Sequence, residues 1–193
     1  MKQYYQENHD LPEEEVEIRF VKFGHNFIFL SKRGLFSYNE IDVNSIILVE
    51  NIPKITGSLL DLGCGFGTVG IMLAKKHNIA LTGCDINRIA VSYAKKNAAI
   101  NGIEAKYLHS DCFDGVTGCF DTIALNPPIH AGKEVVYKMY EQAREHLTKN
   151  GVLYVVIKKK HGAASSLKKL NEIYDNCVPV YKKKGTYVIE CRT

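Results

Sequence analysis

No two cysteines in this sequence stand as C-x-x-C, and no Cys/His cluster has the spacing of a zinc site. The six cysteines, at 64, 84, 112, 119, 177 and 191, are therefore expected as small, reduced thiols. Apolar runs long enough to span a bilayer are also absent. The first fifteen residues, MKQYYQENHDLPEEE, lack the apolar core of a signal peptide. Repeats, low-complexity segments and a dividing linker are missing as well. These absences point away from a metal-stapled, secreted, membrane-spanning or repeat protein, and toward a soluble cytoplasmic one. What remains is 193 residues, 46% hydrophobic and 24% charged, enough for one core without staples.

Charge is uneven. Residues 1–130 carry 12 Lys/Arg against 15 Asp/Glu, whereas residues 131–193 carry 13 against 6. The basic part holds KKKH at 158–161 and KKK at 182–184. A one-sided basic surface fits a polyanion such as RNA. Lysines that merely solvate helix ends and an edge strand would give the same count.

The alternation in EVEIRFVKF and FIFLS predicts a hairpin turning at GHN. Asp42 is placed to cap a helix in IDVNSIILVENI. From residue 58 strands and helices alternate. SLLDL, IALTGCD, AKYLHSD, DTIALN and GVLYVVIKKK read as strands, and VPVYKKKGTYVIECR as two more turning at KKKG. TVGIMLAKKH, NRIAVSYAKKNAAING, KEVVYKMYEQAREHLTKNG and HGAASSLKKLNEIYDN read as helices. The expected fold is α/β: a doubly wound, mainly parallel seven-stranded sheet with an antiparallel C-terminal hairpin and an N-terminal β-hairpin extension. One domain is expected over 1–193, with a hairpin-and-helix extension at 1–57 and a core at 58–193. Such sheets bind ligands at the carboxyl ends of their strands, where strand order reverses.

The glycine loop has two parses. Gly65, Gly67 and Gly70 spell G-x-G-x-x-G, with Asp85 at the distance of a ribose ligand, as in a dinucleotide site. Alternatively DLGCGFG ends a strand at Asp61 and lets backbone approach a ligand at Gly63, Gly65 and Gly67. Charge favours the second parse. A pyrophosphate would meet the Asp61 carboxylate, while S-adenosylmethionine brings a sulfonium and an ammonium that it would attract. Asp61 capping the next helix is the structural alternative. On the cofactor reading Asp85 accepts from the ribose hydroxyls, Ile86 packs on the adenine and Asp111 meets the adenine amine.

NPPIHAG, residues 126–132, supplies the second half of the chemistry. Consecutive prolines stiffen the chain and push their predecessors to extended angles. An NH2 on an sp2 carbon is a poor nucleophile, because its lone pair is delocalised. Two fixed acceptors, the Asn126 side-chain oxygen and the Pro127 carbonyl, would hold its N–H groups and aim the lone pair at a methyl donor.

DLGCGFG, GCDIN and NPPIH, in this order, resemble class I S-adenosylmethionine-dependent methyltransferases of the N-P-P-aromatic type. The sequence is most similar to the small-domain family of ribosomal RNA guanine-N2 methyltransferases, from the EIRF strand through GLFS to KKKGTYVIE. The resemblance implies S-adenosylmethionine as cofactor, held by Gly63, Cys64, Gly65, Gly67 and Asp85, with Asp111 and Cys112 beside the adenine and Phe36 nearby. It implies Asn126, Pro127 and Pro128 as the amine-binding turn, no metal, and RNA or a ribosomal particle as partner in rRNA processing. Two departures stand out. Ile129 replaces the usual aromatic, which leaves His130 as a candidate to stack, hydrogen-bond or take a proton; a His near a helix start with no chemical role is the other reading. The family's two-domain enzymes carry a further N-terminal domain, so docking is expected here from the catalytic unit's own surface or a second subunit. A protein glutamine or small amine as substrate, a vestigial RNA-binding module and a nicotinamide oxidoreductase are the competing readings.

Overall fold

The computed structural model describes residues 14–193; most of the N-terminal segment read above for a leader lies outside them. Nine strands and five α-helices follow one another among these residues: β1 (Glu15–Lys22), β2 (His25–Lys32), α1 (Val43–Asn51), β3 (Ser58–Leu62), α2 (Thr68–His77), β4 (Ala80–Asp85), α3 (Arg88–Ile100), β5 (Ala105–His109), β6 (Phe120–Leu125), α4 (Lys133–Glu145), β7 (Leu147–Lys158), α5 (Ala163–Ile173), β8 (Asn176–Lys183) and β9 (Thr186–Arg192). Seven form one sheet in the order β5-β4-β3-β6-β7-β9-β8. Every pairing from β5 to β7 is parallel, and β9 runs antiparallel to both β7 and β8. The expected seven-stranded α/β sheet is what the chain forms.

Strand periodicity divides the core. Leu59 and Ala124 point to the cluster under α1, α2 and α3, while Leu60, Leu62, Ile123 and Leu125 point to the one under α4 and α5. All six are essentially excluded from solvent, as a sheet covered on both faces requires.

The N-terminal hairpin joins the first cluster through buried Phe27 and Phe29. Its second strand is fastened by two asparagines one turn apart, Asn97 on α3 and Asn101 at its C-cap. Asn97 accepts from the Leu30 N–H at 2.7 Å and donates to the Leu30 carbonyl at 2.8 Å. Asn101 does the same to Ile28, at 3.1 and 2.7 Å. The match is geometric: four helical residues rise about 6 Å and two strand residues about 6.6 Å. The amides thus satisfy strand groups that have no neighbouring strand.

Three expectations need correction. The first hairpin turns at Phe23–Gly24 rather than GHN, because both residues adopt positive φ (53° and 74°) and Lys22 faces His25. Helix α4 stops at Glu145 instead of running through HLTKNG. Phe120 pairs with Leu147 but Thr122 with Val152, so residues 148–151 bulge from the sheet. Gly151 serves that bulge, since a Cβ there would stand 2.9 Å from the Phe120 carbonyl oxygen. Finally, Cys177 and Cys191 are a disulfide rather than reduced thiols. They are directly opposed across β8 and β9, with Cα atoms 4.2 Å apart. Cys64, Cys84 and Cys112 are buried and free, and Cys119 is free and exposed.

Candidate active site

Strand order reverses between β3 and β6, and a cleft of about 390 Å³ opens at their carboxyl ends. A cavity of this size suits one small molecule. The glycine loop after β3, the turn after β4, the turn after β5 and the NPPIH turn after β6 all line it.

The loop is wound by alternating left-handed glycines, Gly63, Gly65 and Gly67, with φ of 69°, 54° and 94°. Around Gly65 an added Cβ would meet nothing within 4 Å, so the backbone angle alone requires glycine there. Two bonds fix the loop: Cys64 N–H donates to the Cys84 carbonyl at 2.9 Å, and Gly65 N–H to Asp85 Oδ2 at 2.8 Å. Asp85 Oδ1 accepts from Asn87 N–H, also at 2.8 Å. Each carboxylate oxygen can accept twice, so Asp85 keeps capacity for ligand hydroxyls. Burial raises its pKa against these bonds.

Asp61 is 2% exposed, and its Oδ2 accepts from the Gly70 N–H of α2 at 2.8 Å. The helix-bonding alternative is therefore met in part, yet Asp61 also lines the cleft. Burial, opposed by the Gly70 bond and assisted by the Asp85 charge, pushes its pKa up to about 7. Gly70 exists for this approach: a Cβ would lie 2.9 Å from Asp61 Oδ2 and 2.8 Å from Leu81 Cδ1. The third glycine of the dinucleotide-like parse is thus a packing residue.

Phe36 and Ile86 are 39% and 44% exposed, large apolar groups left open at the cleft. Asp111 lies at its outer edge, with Lys138 Nζ 3.7 Å from Oδ1. Cys112 lines the cleft with positive φ, and its carbonyl accepts from Ser110 Oγ at 3.0 Å. Burial pushes the Cys84 and Cys112 thiols up to about 12, so neither is a thiolate nucleophile at neutral pH.

Across the cleft, Asn126 Nδ2 donates to Asp42 Oδ2 at 3.1 Å and to Ser45 Oγ at 3.0 Å. A carboxylate only accepts, so the amide nitrogen must face Asp42. Oδ1 accepts no hydrogen bond among the described residues, and Asn126 lines the cleft. Asp42 is held in turn by Ser45 N–H at 2.8 Å, Ser45 Oγ at 3.2 Å and Asn44 Nδ2 at 3.3 Å. Sequence reasoning found Asp42 only as a helix cap and missed Ser45 altogether.

Pro127 is buried, and Pro128 leads into a 3-10 turn, Ile129–Ala131. Ile129 packs partly buried against the α4–α5 core, and His130 is exposed at the cleft. Lys158 and His161, which sequence reasoning treated only as part of a basic run, line the cleft as well. His161 has its pKa lowered by burial first, then by Lys160, Lys158 and His130. No group of three or more potential metal ligands occurs among the described residues. No helix there is long and apolar enough to cross a membrane.

Known proteins share this design. Residues 26–190 match the family model described as "Methyltransferase small domain". Uncharacterized protein YbxB of Bacillus subtilis is 39% identical, covering 98% of this chain and 97% of that protein. Ribosomal RNA small subunit methyltransferase C of Aeromonas hydrophila is 38% identical over 66% of this chain, and that of Vibrio vulnificus 34% identical over 77%. The matches span only 39% and 44% of those two enzymes. Among solved structures, a T. thermophilus 16S rRNA N2 methyltransferase in complex with AdoMet and guanosine superposes with a TM-score of 0.85 at 24% identity, covering 97% of this chain and 53% of that one. A ribosomal protein L11 methylase of Lactobacillus delbrueckii gives 0.62 at 20% identity, covering 78% of this chain and 77% of that one. Both likenesses show the fold. With the family model spanning 26–190, the chain belongs to the small methyltransferase domain family.

Proposed function

We propose that the protein is an S-adenosylmethionine-dependent N-methyltransferase acting on an exocyclic amine of an RNA base, guanine N2 of ribosomal RNA being the best fit. The observation that carries this reading is the fixed Asn126 amide, whose nitrogen is bound by Asp42 and Ser45 while its oxygen is left to accept. The named rRNA relatives support the RNA assignment.

The residues fit the cofactor. The left-handed glycine loop admits close backbone approach, Asp85 has acceptor capacity for the ribose, and exposed Ile86 and Phe36 offer apolar faces to a planar base. Asp111 and Cys112 would border the adenine, and Asp61 would draw the ammonium end. S-adenosylmethionine supplies there an electrophilic methyl group on a sulfonium.

The chain's own residues handle the amine. Asn126 Oδ1 accepts one N–H and the Pro127 carbonyl the other. Both stabilise positive charge as it develops on nitrogen, and neither is a base. Asp42, Ser45 and the two prolines remove the rotational freedom that would blur this geometry. Ile129 covers a face of the base. His130, exposed at the cleft, would take the proton released from nitrogen.

Labelled methyl transfer to unmodified ribosomal RNA, followed by nucleoside digestion and mass spectrometry, tests the reading. N2-methylguanosine is expected. Label confined to a protein fraction would overturn the RNA assignment and leave the amine chemistry standing.

A further inference from the structure

Asn126 divides the carboxyl rim of the sheet in two. On one side β3, β4 and β5 present Asp61, Asp85 and Asp111 to the cleft. On the other lie β7, β9 and β8. Because β9 is antiparallel to both neighbours, β8 runs parallel to β7, and both strands end on the Asn126 rim.

Those two ends bring together lysine runs separated in sequence. Lys158 pairs with Thr186, and Thr186 with Lys183, across three adjacent strands. Two strand spacings put Lys158 and Lys183 about 10 Å apart. Lys159 N–H donates to the Gly185 carbonyl at 2.7 Å, fastening the turn after β7 to the tip of the β8–β9 hairpin. Lys159, Lys160, Lys182, Lys183 and Lys184 are exposed. Lys182 Nζ also lies 5.2 Å over the Tyr187 ring. None of the six lysines is in an ion pair among the described residues. Residues 146–171 and 176–189 contain no Asp or Glu. The depressed pKa of His161, caused in part by Lys160 and Lys158, reports the positive field where this tract meets the cleft.

We propose that Lys158–Lys160 and Lys182–Lys184 form one continuous shelf that binds the sugar-phosphate backbone of the RNA strand carrying the target nucleotide. The inference rests on reading the cleft as an RNA methyltransferase site. Lysine ammonium groups act on phosphate as point charges and carry no base code. The shelf thus supplies sequence-independent affinity, and selection of the base falls to the Asn126 turn. It also gives the catalytic unit an RNA-docking surface of its own.

The test measures binding of the intact chain to a single-stranded, guanine-containing RNA oligonucleotide across a salt series. Wild type is compared with Lys159→Gln/Lys160→Gln and Lys182→Gln/Lys183→Gln/Lys184→Gln, and with the corresponding Arg variants. Each lost lysine is expected to flatten the slope of log K against log salt by about 0.7, so the triple Gln variant loses about 2. The Arg variants should restore wild-type slope, which a merely structural role would not require. Calorimetric binding of S-adenosylmethionine confirms that each variant is folded. Unchanged slope and affinity in both Gln variants would overturn the shelf, as would failure of wild type to bind RNA. If the slopes fall as expected but label enters only protein, the lysines bind RNA but not a substrate strand, which overturns the shelf's substrate role together with the RNA methylation reading.

Discussion

Asn126 Nδ2 lies 3.1 Å from Asp42 Oδ2, across 84 residues of sequence. This contact ties the first turn of α1 to the NPPIH turn after β6. Asp42 serves two ends, since the same oxygen accepts from Ser45 N–H at 2.8 Å as the helix N-cap. Asp42→Ala should therefore lose about 1 kcal/mol of stability from the cap as well as the amide restraint. Asp42→Asn separates the effects, because Asn also caps well but no longer presents only acceptors to the amide. We expect its kcat to fall roughly tenfold to a hundredfold with melting temperature nearly unchanged, the cost of a loosened transition-state contact. Steady-state methyl transfer beside thermal melts measures both, and wild-type turnover in Asp42→Asn would remove Asp42 from the mechanism.

Cofactor affinity should depend on pH through Asp61. Its carboxyl is raised by burial to about 7. It is neutral below that value and attracts the cofactor's ammonium only when ionised. Binding is thus lost as pH falls through 7 and gained as pH rises. Isothermal calorimetry between pH 6 and 8 should show affinity rising roughly fivefold to tenfold with the ionised fraction. Asp61→Asn should flatten that profile, and an equal slope in wild type and variant would place the titration elsewhere.

Docking of the N-terminal hairpin should depend on Asn97. Its side chain is fully buried and bonds to Leu30 N–H, the Leu30 carbonyl and the Phe66 carbonyl at 2.7, 2.8 and 2.8 Å. Asn97→Ala leaves these backbone groups without partners, at a cost of roughly 2–4 kcal/mol. Denaturant melts should register that loss. Because the Phe66 carbonyl belongs to the glycine loop, cofactor affinity should drop with it. A loss below about 1 kcal/mol would show that the apolar contacts of Phe27 and Phe29 suffice.

How much of this was legible in the sequence varies with the range of the interaction. The alternation of SLLDL, IALTGCD and DTIALN with amphipathic helices marks the sheet, because strand and helix periods are local. Asp85 and the glycines are legible for the same reason, lying within one strand-helix-strand unit, β3–α2–β4. Asn126 is legible as a stiffened amide, but its partners Asp42 and Ser45 are not. Nothing local to NPPIH encodes a helix 81 or more residues away. Asn97 and Asn101 are legible as an i, i+4 pair but not as a clasp, since their partners sit on an edge strand about 70 residues earlier. The Cys177–Cys191 pairing follows from the exact register of β8 against β9, where one residue of slip would separate the thiols onto opposite faces. HLTKNG misleads because its polar run continues the helical pattern of α4, whereas residues 148–151, Gly151 among them, bulge from the sheet.

The central claim is that Asn126 Oδ1 holds the amine for methyl transfer. The most direct measurement is single-turnover transfer of labelled methyl to guanine N2 of ribosomal RNA, comparing wild type with Asn126→Ala, both saturated with S-adenosylmethionine. The account predicts a loss of roughly a hundredfold or more in the Ala variant, the magnitude of a missing transition-state acceptor in a preorganised site. Transfer by Asn126→Ala at the wild-type rate would contradict it.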